Sequence, residues 1–277
     1  LVGQRGSRFG RARLVGLARP EHARGFAQLL HFACQRGLRA RLAPLGALAR
    51  VEKAEEALRR GPDSGPRIIA EIKRRSPSAG VIRPYARGDI AWLAQEYVAG
   101  GAAAISVLCD GAGFAGSALD LRRAASAVSV PLLFKEFVLD ELQLDLAARA
   151  GASMALLIVR AMPPERLQAL SDAALARGIA PVVEAANAAE VEVALQTRAT
   201  IVGVNARDLR TFKVDPSAAQ QALALIPRER IAVHMSGVRS AADYASIAQG
   251  RADALLIGES LMRAPKPSAK LRELRAR

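Results

Sequence analysis

The chain has 277 residues, 51% of them hydrophobic and 24% charged, which is ample for a large buried core and is a length at which α/β barrels commonly form one domain. It has no apolar run of the roughly eighteen residues a membrane span needs and no short apolar stretch ahead of a small-residue cleavage site, so a soluble cytoplasmic protein is expected. Its two cysteines, Cys34 and Cys109, lie far apart without Cys-x-x-Cys or Cys/His spacing, which argues against a disulfide framework and against a zinc site.

The formal net charge is +14, and the excess is uneven: residues 1–60 carry 13 Lys and Arg against 4 Asp and Glu, the remainder 27 against 22. Arg5, Arg8, Arg11, Arg13, Arg19, Arg24, Arg36, Arg39 and Arg41 recur there among alanines and leucines, so residues 1–62 read as a basic, mostly helical extension. Such arginines attract phosphate non-specifically. No aromatic platform or nucleic-acid motif accompanies them, and a solvated extension is the better reading than a nucleic-acid-binding one.

From Arg67 onward, short β-rich runs alternate with segments of helical periodicity. Strands are predicted near 67–72, 103–108, 131–135, 154–159, 180–184, 200–205, 230–235 and 253–257. Helices are predicted near 89–100, 117–128, 139–150, 164–177, 187–196, 216–225, 239–248 and 267–276. Gly100-Gly101 and Gly151 fall where helix C-caps belong, and Pro163-Pro164 opens the fourth helix at positions proline tolerates. Eight strand–helix repeats with short turns predict a parallel sheet closed into a (β/α)8 TIM barrel over residues 63–277, behind the N-terminal helical extension. An open doubly wound sheet is the weaker alternative, since no G-x-G-x-x-G occurs.

The strand ends share a pattern. Ile68-Ile69-Ala70 runs into Glu71-Ile72-Lys73, an acid and a base two residues apart and so on one side of a strand, followed by the turn Ser76-Pro77-Ser78-Ala79-Gly80. Leu132-Leu133-Phe134 reaches Lys135, Pro181-Val182-Val183 reaches Glu184, and Ile201-Val202-Gly203-Val204 reaches Asn205. Chemistry in such barrels sits at the C-terminal strand ends. The seventh and eighth strands end instead in Ser236-Gly237 and Gly258-Glu259-Ser260, glycine turns that free backbone N–H groups to approach an anion, so a phosphorylated small molecule is the expected substrate.

Read together, IAEIKRRSPSAG (69–80), FAGS (114–117), PLLFKEFVLD (131–140), LLIV (156–159), VVEA (182–185), IVGVNARDLRTFKVD (201–215), MSGV (235–238) and LLIGESLMRAPKP (255–267) resemble the indole-3-glycerol phosphate synthase family over roughly residues 65–277. EIKRRSPS, KEFVLD and NARDL are specific to it in combination. The resemblance implies conversion of 1-(2-carboxyphenylamino)-1-deoxyribulose 5-phosphate to indole glycerol phosphate, carbon dioxide and water, without a metal or organic cofactor, by a monomer or homodimer. On that resemblance Lys135 protonates or polarises the ketone and Glu184 assists dehydration. Glu71 contacts the substrate hydroxyls and orients the catalytic groups, Lys73 pairs with the substrate and holds its phosphate end, and Asn205 hydrogen-bonds Glu71 or the substrate. Arg207 braces the charge network, Ser76 lies on the anthranilate side and Phe114 lines the aryl end. Ser236, Gly237, Gly258 and Glu259 form the phosphate pocket, largely through backbone N–H groups.

The chain departs from the family where a glutamate usually precedes the seventh-strand Ser-Gly and Met235 stands instead; Asn187 and Ser153 replace frequent aspartates. The lost carboxylate changes the charge balance around Lys73 and Lys135, so Met235→Glu is expected to raise turnover by up to about 10²-fold. Two other classes share the glycine turns: a different phosphosugar isomerase or lyase, and a diverged phosphate-binding barrel with weak or no turnover. The isomerase does not require Glu71, Lys73, Lys135 and Glu184 together.

Overall fold

The computed structural model describes residues 47–62, 64–84, 89–208 and 211–276. Most of the basic extension expected over residues 1–62 therefore lies outside the described residues.

Eight parallel strands close into a barrel: β1 (Arg67–Ile72), β2 (Ala104–Leu108), β3 (Leu132–Lys135), β4 (Met154–Ile158), β5 (Ala180–Ala185), β6 (Ile201–Asn205), β7 (Ile231–Met235) and β8 (Ala254–Ile257). Each pairs with its successor, and β8 closes on β1 through Arg67↔Ala254 and Ile69↔Leu256. The strands are rich in Ile, Val, Leu and Ala because both faces are covered, the inner one by the barrel core and the outer one by helices.

Period-two alternation sorts each strand into an inner and an outer set. Ile69, Ala104, Leu133, Met154, Leu156, Ala180, Val182, Ile201, Val233, Ala254 and Leu256 form the inner apolar cluster. Continuing the same parity toward the C-terminal ends brings up Glu71, Ser106, Lys135, Glu184, Asn205 and Met235. The barrel is thus greasy below and polar above, because one spacing rule runs through a sequence that changes character at the strand tips.

The outer helices are α2 (Asp89–Ala99), α4 (Ala118–Ala127), α5 (Glu141–Ala150), α6 (Pro164–Ala176), α7 (Ala188–Leu195), α8 (Pro216–Ala224), α9 (Ala241–Ala248) and α11 (Pro267–Arg275), with α1 (Ala47–Leu58), α3 (Gly111–Phe114) and α10 (Glu259–Arg263) completing the set. Their boundaries follow local chemistry. Asp140 caps α5 in a reciprocal box with Gln143, and Ser240 does so for α9 with Asp243. Past the ends of α2 and α5, Gly101 (φ 88°) and Gly151 (φ 95°) adopt the left-handed backbone that a side chain disfavours.

Three features were not foreseen as elements. Arg75–Ser76 and Gly80–Val81 form a two-stranded hairpin where a plain turn is expected, and α3 and α10 are short helices at the chemical end of the barrel. Helix α1 falls within the extension expected to be mostly helical and is docked against the barrel. On α1, Val51, Ala54 and Leu58 recur at helical spacing and are buried in the inner cluster beside the strand starts. This helix covers the N-terminal end of the barrel, so the end opposite the polar tips is closed by packing.

Candidate active site

The polar tips form a connected set. Lys73, the residue just past β1, has its Nζ 2.7 Å from Glu71 Oε1. Lys135 Nζ lies 3.5 Å from Glu184 Oε2, and Asn205 Nδ2 donates to Glu184 Oε1 at 3.1 Å. Burial pushes the Glu71 carboxyl up, but Lys73 and Lys135 outweigh it and hold the group below the usual carboxylate range. For Lys135 burial pushes the ammonium down, Glu184 and Glu71 push it up, and it ends above the usual lysine value. Lys135 is therefore held charged and only partly solvated.

Two partners differ from the sequence reading. Asn205 bonds Glu184, not Glu71, because β5 and β6 are adjacent. Arg207 joins the network through its backbone N–H, which donates to Asn205 Oδ1 at 3.0 Å, while its guanidinium donates to Phe212 O at 3.1 Å.

The glycine turns follow the neighbouring strands β7 and β8 on this same end. Ser236 (φ 70°) and Gly237 (φ 88°) are both left-handed, and Ser260 Oγ donates to Val238 O at 3.2 Å, tying α10 to the turn after β7. The Glu259 side chain faces away to pair with Arg263 at 3.0 Å. Gly258 has a second reason to lack a side chain: a Cβ there would come 2.7 Å from Glu71 Oε1. Met235, 1% exposed, lies over Gly203, where any Cβ would collide with its methyl group.

The loop after β1 folds across the rim. Ser76 is buried, its Oγ accepting from Ala79 N at 3.1 Å, and Arg75 donates to the carbonyls of Ala112 and Gly113. Arg74 pairs with Asp120 at 2.9 Å. Asp110 caps α3 by accepting from Gly113 N and Phe114 N, which sets the half-buried Phe114 on the rim beside this loop. Two titratable groups escaped the sequence reading. Glu136 is pushed up to about 7 by burial and the nearby Asp110, although it accepts from Phe137 N at 2.8 Å. His234 is fully buried behind the seventh strand end. The signal for both is their place directly beside a tip residue, Lys135 or Met235, on the opposite strand parity.

Comparison with known proteins gives the chain its family. The family model described as indole-3-glycerol phosphate synthase matches residues 39–274. The chain belongs to the indole-3-glycerol phosphate synthase family. That match starts upstream of residue 65, where the motif resemblance begins, and so takes in α1. An indole-3-glycerol phosphate synthase of Opitutus terrae is 42% identical over 227 residues, 80% of this chain and 84% of that one. Another, of Streptomyces griseus, is 39% identical over 248 residues, 86% of this chain and 91% of that one. Among solved structures, tryptophan synthase subunit alpha from Legionella pneumophila superposes with a TM-score of 0.58 at 14% identity, covering 82% of this chain and 97% of its own. A thiamine phosphate pyrophosphorylase from Pyrococcus furiosus does so at 0.56 and 15%, covering 76% and 93%. At such identities these two neighbours speak for the barrel fold alone. As a member of the indole-3-glycerol phosphate synthase family, the chain carries one acid–base pair at the end of β1 and another across β3 and β5, with the apolar thioether of Met235 at the end of β7.

Proposed function

We infer that this chain closes the indole ring, converting 1-(2-carboxyphenylamino)-1-deoxyribulose 5-phosphate to indole glycerol phosphate, carbon dioxide and water. The observation that carries the reading is the pairing of Lys135 with Glu184 at 3.5 Å on the rim, next to the Lys73–Glu71 pair at 2.7 Å. Lys135 is the acid: it gives a proton to the ketone oxygen as the ring carbon bearing the carboxylate attacks the carbonyl carbon. Carbon dioxide then leaves, its bonding electron pair restoring the aromatic ring. The new hydroxyl leaves as water, a proton departs from the neighbouring methylene, and Glu184, held by Asn205, serves this dehydration as acid/base.

Glu71 contacts the substrate hydroxyls and Lys73 its phosphate end. The phosphate sits on backbone N–H groups of Ser236, Gly237, Gly258 and Glu259, a use that suits turns with left-handed backbone and a helix start. Ser76 and Phe114 border the aryl side, and Arg207 holds Asn205 from its backbone. All these groups come from one chain, so a monomer suffices and a homodimer is compatible. Among the described residues no helix is long and apolar enough to cross a membrane, and with the buried free Cys109 this supports assignment to the cytoplasm.

A different phosphosugar isomerase would need the phosphate turns but not both lysine–carboxylate pairs. The deciding experiment is a fluorescence assay for indole glycerol phosphate formation by the purified chain. Absence of product from folded protein, over a titration of substrate, would overturn the assignment.

A further inference from the structure

We propose that His234 is a positioning residue that sets the phosphate-binding turn, acting through the carbonyl of Ser236. The proposal rests on the phosphate site assigned above to Ser236 and Gly237. His234 stands on the outer parity of β7, in register with Val204 and Leu255, and its ring is fully buried. Its one polar contact among the described residues is Nε2 to Ser236 O at 3.0 Å; Nδ1 has no partner there. A carbonyl oxygen only accepts, so Nε2 carries the proton and the ring is the neutral tautomer with a bare Nδ1. Burial keeps it so by pushing the imidazolium down.

The bond matters because of where Ser236 is. Its φ of 70° is a conformation that residues other than glycine seldom hold, and it is followed by Gly237 at 88°. Two consecutive left-handed residues aim the turn's amides to one side, and that arrangement persists only if something over-determines it. The imidazole supplies that hold from behind the strand, and the Ser260 hydroxyl supplies a second tie on Val238 O. Without the first, Ser236 is free to relax toward the ordinary region and turn its amide and that of Gly237 away from the anion.

The test compares three substitutions of similar bulk. His234→Leu removes the donor, His234→Gln keeps an N–H near the place of Nε2, and His234→Asn carries the same amide on a stem too short to reach Ser236. KM and kcat are measured with the phosphorylated substrate, and inorganic phosphate is titrated as inhibitor and as thermal stabiliser. His234→Leu and His234→Asn are expected to raise KM and the phosphate inhibition constant together by about tenfold, with kcat within about twofold, as suits loss of one hydrogen bond. His234→Gln is expected to bring both constants back to within about threefold. KM and phosphate inhibition unchanged in the folded Leu or Asn variant would overturn the proposal, as would equal impairment of Asn and Gln. Should the Leu variant not fold, the Asn and Gln pair decides alone. A parent chain without turnover and without a phosphate-dependent melting shift would overturn the phosphate site itself and this proposal with it. A parent showing both, beside unaffected variants, overturns only the role of His234.

Discussion

At the scale of single residues, Lys135 is paired with Glu184 at 3.5 Å and feels Glu71 as well, so removing its ammonium deletes the proposed acid without opening the apolar core below. Lys135→Ala is expected to lower kcat by about 10²- to 10⁴-fold with the melting temperature nearly unchanged; turnover within about threefold of the parent would remove Lys135 from the chemistry. Met235→Glu now has a different outlook from the one the sequence alone gives. Glu71 and Glu184 already occupy Lys73 and Lys135, and position 235 is 1% exposed and opposite Asn205 in register. A third carboxylate there finds no idle lysine in the set, so turnover is expected to stay within about tenfold of the parent, less than a strong electrostatic group supplies. A rise of a hundredfold in the same assay would show that the lysines are under-compensated. The tip residues themselves were legible, because strand parity and the polar ends are written locally. The partner of Asn205 was missed although sequential barrel order already puts β5 beside β6: the motif resemblance pointed to Glu71 or the substrate, and which carboxylate the amide reaches is set by side-chain packing at the rim.

At the scale of elements, α1 is held by Val51, Ala54 and Leu58 over the strand starts. Leu58 is fully buried, so Leu58→Ala is expected to cost about 2–5 kcal/mol in urea unfolding while kcat of the folded fraction stays put, since the cavity opens at the end away from the rim. A stability loss below about 1 kcal/mol would mean that α1 is not part of the cooperative unit. The loop after β3 offers a pH test. Glu136 titrates at about 7 when folded, above its ordinary 4.5, so its contribution is full below about pH 4.5 and is lost as pH rises through about 7. Glu136→Gln should therefore gain stability relative to the parent between about pH 5 and 8, on the order of 1–3 kcal/mol. A difference between the two that is flat across this window would show that Glu136 is solvated. Eight strand–helix repeats could be placed from their β-branched runs and caps to within a residue or two. The hairpin at Arg75–Val81 and helix α3 could not: with two glycines in four residues Gly111-Ala112-Gly113-Phe114 has low helical propensity, and its turn is held by the Asp110 cap and by Arg75, which grips its carbonyls from another loop.

At the scale of the whole molecule, the two lysine–carboxylate pairs at the rim cancel one another's charge before any substrate arrives. A substrate with a carboxylate and a phosphate is then not drawn in by its immediate pocket. What it meets first is the far field of a chain with a formal net charge of +14, which guides anions from a distance and weakens once salt shortens the Debye length to about 10 Å at 0.1 M. Capture and chemistry are thereby assigned to different charges. Raising salt should lower kcat/KM severalfold while leaving kcat flat, because the paired side chains at the rim shield each other over distances far shorter than the ionic atmosphere. Equal loss in both constants would mean that ions penetrate the rim. In kinetic language, the same pairing that keeps the proposed acid Lys135 charged makes the barrel mouth a poor magnet, and leaves the rate of encounter to residues that never touch the substrate.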